Sequence, residues 1–392
     1  MLRILWGSPL PPLRSGVSDY AAELLQELAA LAKVRVLRPP GWEGEVTVPG
    51  IELVSGSTPP AEGEIVLIHL GNNPYHLWLL DHLRDTRLVL VLHDLVLHHL
   101  LVEATLATGD EAAYRRRMIE AYGDAGAALA DGRHMGFEAP LDPFLFPARA
   151  PFLKGARAAV VHSRWAKHQV ASEFPSMPVL NLAMPAHDPG TGIDRMELRR
   201  TLGIAKDELL VMHLGFLTPA KGLATILEAL SVVTTMGRPV RLLLVGEGVA
   251  LETIRRAADK LGIGQRVSAT GWTAYERFVS LPAAADLGLV LRSPSAGETS
   301  AAVVRFLACG TPVAVSGLHQ FLEWPSSAVE RVTPGPSSTA SLVRILLDAS
   351  ARLEDGTAQR RRDAARTAYV SGGHQPARVS RQLAAFLRGL RL

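Results

Sequence analysis

Cysteine is almost absent from this sequence, with Cys309 the single example among 392 residues. One thiol cannot form a disulfide within the chain, so a small disulfide-stabilised domain is excluded. We interpret Cys309 as a small apolar core residue rather than a nucleophile. The scarcity of cysteine favours a reducing, cytoplasmic setting.

An excess of charge of one sign is also lacking. The 41 Lys and Arg residues against 38 Asp and Glu leave a net charge of +3, which is too weak a field to predict a nucleic-acid partner. Because 48% of the residues are apolar and 20% are charged, disordered and low-complexity classes are excluded and a substantial core is expected.

Long apolar runs are missing too. The first run covers residues 1–6 and stops at Gly7, which makes it too short for an export signal. The apolar stretch 88–101 is interrupted by His93, Asp94 and the pair His98-His99. No transmembrane helix is therefore expected.

The sequence does contain an alternation of short β-rich apolar runs with longer segments of helical period. This is the pattern of α/β folds with parallel sheets. A Pro- and Gly-rich linker at 184–192 separates two such arrays, which predict two Rossmann-like domains facing each other across a cleft. The predicted strands are 3–6, 34–37, 65–69, 88–93, 158–162, 209–214, 241–245, 267–270, 287–291 and 312–315. The predicted helices are 18–30, 111–130, 223–235, 251–261, 275–284 and 300–309.

Two glycine-rich turns approach known nucleotide-binding fingerprints without completing them. Gly246 and Gly248 follow a predicted strand, but the third position of a dinucleotide fingerprint is Leu251, so a tight turn is the better interpretation. The segment 215–222 has the spacing of a P-loop but lacks the hydroxyl after Lys221, so a Walker NTPase is not predicted. Lys221 either reaches an anion from the start of a helix or is a solvated surface lysine.

A metal site at residues 93–99 is not predicted either. His93 and Asp94 follow a strand, whereas His98 and His99 lie a helical turn away on different faces. We interpret His93 as a neutral hydrogen-bonding side chain at a strand end, and His98 and His99 as structural.

The most informative stretch is 292–300, which leads into a predicted helix. Gly297 frees the backbone to approach a ligand, and Thr299 or Ser300 can cap the helix. The exposed N–H groups at such a helix start form an anion site, for which a diphosphate is the natural ligand. Glu298 either belongs to this site or only stabilises the helix dipole.

Taken in order, seven parts of the chain resemble the retaining family-4 glycosyltransferases of the GT-B fold, or glycosyl transferases group 1. Gly297-Glu298-Thr299-Ser300 is an atypical variant of the Glu-x7-Glu motif of that family. The resemblance covers nearly the whole chain. Its parts are 11–20, 92–94, 161–164, 215–222, 245–248, 270–272, and 297–300 with 308–313.

The resemblance implies a hexosyltransferase of glycan biosynthesis that needs no metal ion or cofactor. It would move a sugar from a nucleotide diphosphate donor to an acceptor hydroxyl, with retention of anomeric configuration. Domain 1–183 would mainly hold the acceptor and domain 184–373 the donor, while residues 374–392 would form a helix crossing back to the first domain. The implied acceptors are a glycan, a lipid-linked precursor or a small natural product.

Residue roles follow from the same resemblance. Gly16 would lie against the diphosphate, His93 would touch the transferred sugar, and Lys221 would neutralise the leaving diphosphate. The implied catalytic residues are His93, Lys221 and Glu298. The implied donor-binding residues are Gly16, Phe216, Lys221, Gly246, Glu247, Trp272, Gly297, Glu298, Thr299, Ser300 and Arg305, and the implied acceptor-binding residues are Asp19 and Tyr20.

Two departures from the family pattern concern charge. The two Glu positions of the family fall on Gly297 and Arg305, and an Arg often found in the Lys221 loop is Phe216. We hypothesise that Arg305, two turns beyond Glu298, supplies the diphosphate with the charge that Phe216 lacks, or pairs with Glu298. The alternatives are a salt-bridged surface arginine, or a loss of ribose binding and of catalysis.

Other functions and contacts stay open at this point. The alternatives to a transferase are a non-catalytic nucleotide-sugar-binding subunit and a nucleotide-sugar epimerase on the same fold. Solvated helix faces are the preferred interpretation of the arginine clusters, and a weak peripheral contact with anionic lipid at the inner membrane face is the alternative. These arginines are 115–117, 360–362, 381, 388 and 391.

Overall fold

The structure, a computed structural model, describes residues 1–190 and 192–390 and divides the chain into two compact units. The first unit contains Met1–Pro185, Ala296–Thr299 and the C-terminal segment from Pro376. The second contains Ala186–Ser295 and Ser300–Gln375. The sequence predicted boundaries after residues 183 and 373, and no feature of it predicted that 296–299 pack with the first unit.

The first unit is built on a parallel seven-stranded sheet of order β3-β2-β1-β4-β5-β6-β7. Every residue of β4 and β5 is buried, which explains why these strands are continuous apolar runs rather than alternating ones. The strand order reverses between β1 and β4. The strands are β1 Arg3–Gly7, β2 Lys33–Leu37, β3 Ile51–Val54, β4 Ile65–Leu70, β5 Leu88–Leu92, β6 Ala158–Val161 and β7 Val179–Asn181.

Side-chain caps start several helices of this unit. Ser15 Oγ accepts a hydrogen bond of 3.0 Å from the backbone N–H of Ser18 at the start of α1, and Ser163 Oγ accepts one from Ala166 in α7. The helices are α1 Gly16–Leu28, α2 His98–Ala104, α3 Glu111–Tyr122, α4 Asp124–His134, α5 Asp142–Leu145, α6 Ala150–Leu153 and α7 Arg164–Glu173. Two 3-10 helices span Pro74–Arg84 and Leu106–Thr108.

The predicted single helix over 111–130 is wrong. Gly123 has a φ of +59°, a conformation that glycine adopts without steric cost, and it separates α3 from α4. The two helices pack on each other so closely that a Cβ at Gly126 would lie 2.0 Å from the carbonyl oxygen of Met118.

The second unit is built on a parallel six-stranded sheet of order β10-β9-β8-β11-β12-β13. Its order reverses between β8 and β11. The strands are β8 Leu209–Leu214, β9 Val240–Val245, β10 Val267–Gly271, β11 Leu287–Val290, β12 Val313–Ser316 and β13 Val329–Val332. The helices are α8 Arg195–Thr201, α9 Leu223–Thr235, α10 Leu251–Lys260, α11 Tyr275–Ser280, α12 Ala301–Ala308, α13 Ser338–Glu354 and α14 Ala358–Gly372, with 3-10 helices at Pro219–Lys221, Gly264–Arg266, Leu281–Ala284 and His319–Glu323.

A buried ionic cluster ties α8 to this sheet. Asp286, just before β11, pairs with Arg195 and accepts a 2.9 Å hydrogen bond from the buried Arg199. The same carboxylate accepts the N–H of Leu210 at 2.8 Å, and Arg199 also donates to the carbonyl of Glu208. Each buried charge is thus paired and hydrogen-bonded, as burial requires.

The last described helix, α15 Pro376–Gly389, belongs to the first unit. Its buried side chains include Leu383 and Leu387, and Ser380 Oγ donates to the carbonyl of Leu24 in α1 at 3.5 Å. Two parallel-sheet α/β units and a C-terminal helix that returns to the first confirm the predicted fold class. The predicted helix extended to residue 392, and Arg391 and Leu392 lie outside the described residues.

Several of the arginines considered for lipid contact have protein partners. Arg115 pairs with Asp131 at 2.6 Å, Arg117 with Glu120 at 3.3 Å, and Arg361 with Glu330 at 2.6 Å. Across residues 1–190 and 192–390, the structure contains no helix both long and apolar enough to span a membrane.

The apolar-run pattern missed the weakest elements. The edge strands β3 and β7 are at most partly buried, so their sequences carry little apolar signal. The strand β13 and the helices α8, α13 and α14 were not predicted. Cys309 is partly buried at the end of α12, where its Sγ donates to the carbonyl of Val279 at 3.2 Å and burial raises the pKa of its thiol to about 12.

The contact between α3 and α4 predicts a difference between two glycines of one helix. We expect Gly126→Ala to lower the free energy of unfolding by about 1–3 kcal/mol, because the new methyl group would overlap a backbone carbonyl. At Gly132, in the same helix, a Cβ would find its nearest neighbour 4.0 Å away. Gly132→Ala should therefore leave stability unchanged or raise it. Urea unfolding of both variants is the measurement, and equal effects would contradict the packing described.

Candidate functional site

Three glycine-bearing loops meet at the carboxyl ends of β8, β9 and β10 in the second unit. A Cβ at Gly246 would lie 2.3 Å from the carbonyl oxygen of Gly215, and one at Gly248 would lie 2.4 Å from that of Leu217. Leu217 N–H donates to the carbonyl of Glu247 at 2.9 Å, and Gly246 forms a bridge with Gly271. Glycine is thus required here by backbone-to-backbone packing, which agrees with the interpretation of a tight turn.

These loops carry the predicted donor-binding side chains at their surface. Phe216 is 40% exposed and Trp272 is 50% exposed, although both are large and apolar. Glu247, between the two close-packed glycines, is partly exposed. An exposed aromatic pair beside a carboxylate suits a ligand that has both a ring and polar groups.

Two cations lie at the point where the strand order reverses. Lys221 ends the 3-10 helix Pro219–Lys221 after β8, and Arg292 follows β11. The two segments are joined by a hydrogen bond of 3.0 Å from Ser293 N–H to the carbonyl of Ala220. Ligands of open α/β sheets bind outside the carboxyl ends of the strands at such a switch point.

The buried His213 lies close enough to both cations for their charges to lower its pKa. Its pKa is lowered to about 3 by burial and then by the charges of Arg292 and Lys221. Nδ1 of His213 lies 3.2 Å from the carbonyl of Leu289, so Nδ1 carries the proton of the neutral ring. Arg292 is itself 7% exposed and donates to the carbonyl of Leu291 at 2.8 Å and to Ser300 Oγ at 3.4 Å.

The start of α12 differs in part from the sequence prediction. Ser300 is the N-cap residue, yet in the described chain its side chain makes no capping hydrogen bond and instead meets Arg292. Thr299 Oγ1 donates to the carbonyl of His162 at 3.0 Å within the first unit. Neither hydroxyl caps α12, so the expectation that one of them does is wrong.

Gly297 has a packing reason inside the first unit. Its φ is +78°, and a Cβ there would lie 2.8 Å from the indole of Trp165 and 3.0 Å from Cβ of Leu95. The preceding residue, Ala296, accepts hydrogen bonds from the N–H groups of Leu95 and Val96 at 2.9 and 3.1 Å. The expectation that Gly297 also frees the backbone for a ligand stays a prediction.

Arg305 is a buried residue of α12, with 4% of its surface exposed. Its guanidinium lies 5.5 Å from the centre of the Phe278 ring, a cation–π distance. The alternative of a salt-bridged surface arginine is therefore wrong. Glu298 is partly exposed and is grouped with the first unit.

In the first unit, the predicted residue His93 lies in a cluster of aromatic rings at the carboxyl ends of β4, β5 and β6. Its Nε2 lies 3.0 Å from Nδ1 of His69, the ring of His162 is 5.5 Å away between centres, and the edge of Tyr20 is 4.8 Å away. Trp6 of β1 packs on His69 at 4.2 Å. The cluster lies beside the first switch point, between β1 and β4.

Burial keeps these imidazoles neutral. It lowers the pKa of His162 to about 4, and the same cause, together with the other histidines, lowers that of His93 well below its usual value. Burial lowers the pKa of His76, packed beneath His69, to about 4. The interpretation of His93 as a neutral side chain at a strand end agrees with this environment.

The remaining first-unit predictions are placed as follows. Gly16 begins α1 at the surface, and a Cβ there would meet nothing within 4 Å in the described structure, so packing does not explain this glycine. Asp19 is partly exposed. Tyr20 is buried, at 3% exposure, with its ring among the histidines, and burial raises its pKa.

The other histidine pair is separate from this cluster. His98 is buried, with Nδ1 2.6 Å from the carbonyl of Phe146 and Nε2 2.9 Å from the hydroxyl of Tyr114, which is the structural role expected. His99 is at the surface and meets the side chain of Asn72. In the described part of the chain, no three His, Cys, Asp or Glu side chains are grouped as metal ligands.

Sequence reasoning missed four residues of the two sites: His69, His162, His213 and Arg292. The signal was available, because each of them lies at or next to the carboxyl end of a buried apolar strand. A polar residue in that place is exceptional within a continuous apolar run, and ligands of parallel sheets bind at that edge.

Comparison with known proteins identifies the second unit. A family model, glycosyl transferases group 1, matches residues 194–337, which include all the second-unit loops described above. Residues 194–337 form a glycosyl transferases group 1 domain.

Relatives are found among glycosyltransferases. The alpha-D-kanosaminyltransferase of Streptomyces kanamyceticus is 25% identical over 63% of this chain and 66% of its own. The D-inositol 3-phosphate glycosyltransferase of Segniliparus rotundus is 35% identical over 31% of this chain and 27% of its own. The chain thus matches about two thirds or less of the length of these curated relatives.

A solved structure supports the GT-B fold over the whole length. Anabaena HepE, crystallised in complex with UDP and glucose, has a TM-score of 0.65 and 16% identity, with 100% of both chains covered. At this identity the likeness concerns the fold alone, and it confirms the predicted GT-B class of a chain that carries a glycosyl transferases group 1 domain.

The neutral histidines predict a loss of stability in mild acid. Because the pKa of His162 is about 4 in the folded chain and ordinarily 6.5, the unfolded chain binds more protons between these values. The free energy of unfolding should fall as the pH drops from 7 to 5.5, by about 1 kcal/mol for His162 alone. His162→Asn, which keeps a donor for the carbonyl of Leu182, should reduce the fall by that amount. His168→Asn, on the exposed face of α7, should leave it unchanged, and a fall of the same size in all three proteins would contradict the assignment.

Proposed function

We propose that this chain is a retaining glycosyltransferase that transfers a sugar from a nucleotide diphosphate sugar to an acceptor hydroxyl without a metal ion. The observation that carries the proposal is the pair of cations at the second switch point, Lys221 and Arg292, beside the start of α12. The group 1 domain and the transferase relatives support the same reaction class.

The diphosphate is the part of the donor that these groups would bind. Lys221 is partly exposed and carries a flexible four-carbon side chain that suits an anion, while hydrogen bonds to Leu291 and Ser300 hold the buried Arg292 in place. The amides and dipole of α12 add partial positive charge. Arg292 takes over the role that we predicted for Arg305 in offsetting the neutral Phe216, and Arg305 keeps a proposed supporting role behind it.

The nucleoside would then meet the exposed side chains of the glycine loops. Trp272 offers an aromatic face, and Glu247 offers a carboxylate that accepts hydrogen bonds from hydroxyl or amino groups. Gly246 keeps the loop flat against Gly215, which leaves these side chains at the surface.

The first-unit residues would hold the transferred sugar. A neutral His93 hydrogen-bonds to a sugar hydroxyl without adding charge, and Gly16, for which packing gives no reason, lets a backbone approach the diphosphate. Asp19 stays the proposed acceptor-binding residue. Tyr20 is proposed to act through His93, because its ring is buried against that residue.

The chemistry requires that negative charge be stabilised on the departing phosphate. When the bond from the sugar carbon to oxygen breaks, its electron pair stays on the diphosphate, where Lys221 and Arg292 lower the energy of the developing charge. Departure from the same face as acceptor attack lets a phosphate oxygen take the acceptor proton. Fixed cations thus replace the paired carboxylates of hydrolases.

One observation favours a second candidate, a nucleotide-sugar-binding subunit without catalysis. Arg305 stands where the family places a Glu, and Gly297 where it places the other. The acceptor class remains a glycan, a lipid-linked precursor or a small natural product, and an epimerase would be revealed by products formed without an acceptor.

Loss of the exposed cation should weaken nucleotide binding. In a thermal-shift screen with UDP, GDP and ADP, at least one nucleotide should raise the melting temperature of the unmodified chain. We expect Lys221→Met to weaken its affinity by about 10-fold or more, since hydrogen bonds to charged groups contribute about 1.5–3 kcal/mol. Lys206→Met, an exposed lysine before β8, is the matched control and should bind normally. The absence of any shift with the unmodified chain would overturn the proposal.

Substitution of Glu298 tests whether sugar transfer can be lost while nucleotide binding is kept. We expect Glu298→Ala to abolish donor hydrolysis and sugar transfer while the nucleotide diphosphate still binds, because Glu298 is proposed as a catalytic residue and the diphosphate is proposed to be held by Lys221 and Arg292. Glu276→Ala, on the exposed start of α11, should behave as the unmodified chain does. Binding without any turnover by the unmodified chain would establish the non-catalytic subunit instead.

A further inference from the structure

The histidine cluster contains a hydrogen bond between two imidazoles that the proposed reaction does not yet use. Nδ1 of His69 lies 3.0 Å from Nε2 of His93, with ring centres 5.3 Å apart and planes 24° from parallel. Both rings are neutral for the reasons given above. In such a pair one nitrogen carries a proton and donates, and the other accepts, so the bond couples the tautomer of one ring to that of the other.

Two neighbouring histidines show which tautomer this environment favours. Nδ1 of His76 lies 2.9 Å from the carbonyl of His69, and Nδ1 of His162 lies 3.1 Å from the carbonyl of Leu182. Since a carbonyl only accepts, Nδ1 is the protonated nitrogen in both rings. Their Nε2 atoms are buried without a hydrogen-bond partner in the described structure, which suits a bare lone pair.

The Nε2 atom of His69 has the same kind of environment. It is fully buried, and its Nε2 has no hydrogen-bond partner among the described residues. A buried N–H without an acceptor is rarer and costlier than an unused acceptor. The ring of His69 therefore places its proton on Nδ1, where it has an acceptor in His93.

We propose that His69 is a positioning residue that donates from Nδ1 to Nε2 of His93 and thereby holds the single ring proton of His93 on Nδ1. His93 is the partly exposed member of the cluster, and with Nε2 occupied its remaining ring nitrogen is an N–H donor. Where the proposed function holds, this donor meets a lone pair of a sugar hydroxyl oxygen. The inference rests on the proposed function for that consequence, but the tautomer itself does not.

The surrounding rings support this arrangement. Trp6 packs against one side of His69, and Tyr20 meets His69, His93 and His162 edge-on at 4.8–5.5 Å between centres. Such packing leaves His69 little freedom to turn its ring over. His69 therefore acts on His93 through a hydrogen bond of fixed direction rather than through charge.

The direct test is nitrogen NMR of the full chain labelled with 15N-histidine, without substrate. We expect His93, assigned by its loss in His93→Gln, to show a protonated, pyrrole-type Nδ1 and an unprotonated, pyridine-type Nε2. A pyridine-type Nδ1 in the unmodified protein would overturn the inference whether or not the chain transfers sugar.

A variant pair extends the test. His69→Leu removes the donor, and the proton of His93 should redistribute between its two nitrogens. His69→Asn, which keeps an N–H donor near the position of Nδ1, should restore the original pattern. His76→Leu removes an equally buried ring that does not contact His93, and it should leave the tautomer of His93 unchanged; an unchanged tautomer in His69→Leu would also overturn the inference.

Ligand affinities distinguish a positioning role of His69 from a general loss of structure. We expect His69→Leu to lower the affinity of the chain for the nucleotide sugar by about 10-fold, the effect of losing one hydrogen bond. The affinity for the nucleoside diphosphate alone should stay unchanged. His69→Asn should recover most of the loss. If the tautomer is as inferred but no nucleotide binds the unmodified chain, the proposed function fails and the positioning role of His69 toward His93 remains.

Discussion

Parallel pairing of every strand is the constraint on which the functional regions of both units depend. Each sheet has its carboxyl ends along one edge, so residues far apart in the sequence, such as His69, His93 and His162, meet there. The strand order reverses between β1 and β4 and between β8 and β11. At such a reversal the loops that follow the two neighbouring strands lead away from each other and leave a crevice. The polar residues that interrupt buried strands lie at these edges, because elsewhere in the sheets they would have no partner.

The same burial produces opposite electrostatics in the two units. In the first, crowding of imidazoles away from water makes a protonated ring unfavourable, so the cluster offers hydrogen bonds without charge. In the second, Leu291 and Ser300 accept hydrogen bonds from the buried Arg292, and burial together with the charges of Arg292 and Lys221 lowers the pKa of His213.

The sequence predicted most of what a continuous apolar run or a helical period can show. The ranges 209–214 and 223–235 match β8 and α9 residue for residue, because both are long and buried. It could not show that Gly123 splits a helix, since an isolated glycine is often tolerated there. Nor could it show that Tyr20 and Arg305 are buried, because ring stacking and cation–π contacts join residues distant in sequence. His69 and His213 could have been predicted, because each is a polar residue near the carboxyl end of a buried apolar strand.

The glycine at position 297, to which the resemblance assigned a glutamate of the family motif, has a physical explanation in the first unit. Residue 297 has a φ of +78°, and any side chain there would collide with Trp165 and Leu95. A glutamate at this position would demand both a strained backbone and a shift of the partly buried indole of Trp165, so glycine is favoured. The next residue is Glu298, which is partly exposed. Hydrogen bonds of Ala296 and Thr299 to the first unit fix the backbone on both sides of it. Packing of the loop on Trp165 therefore explains the glycine at 297, and the neighbouring carboxylate of this short segment is Glu298.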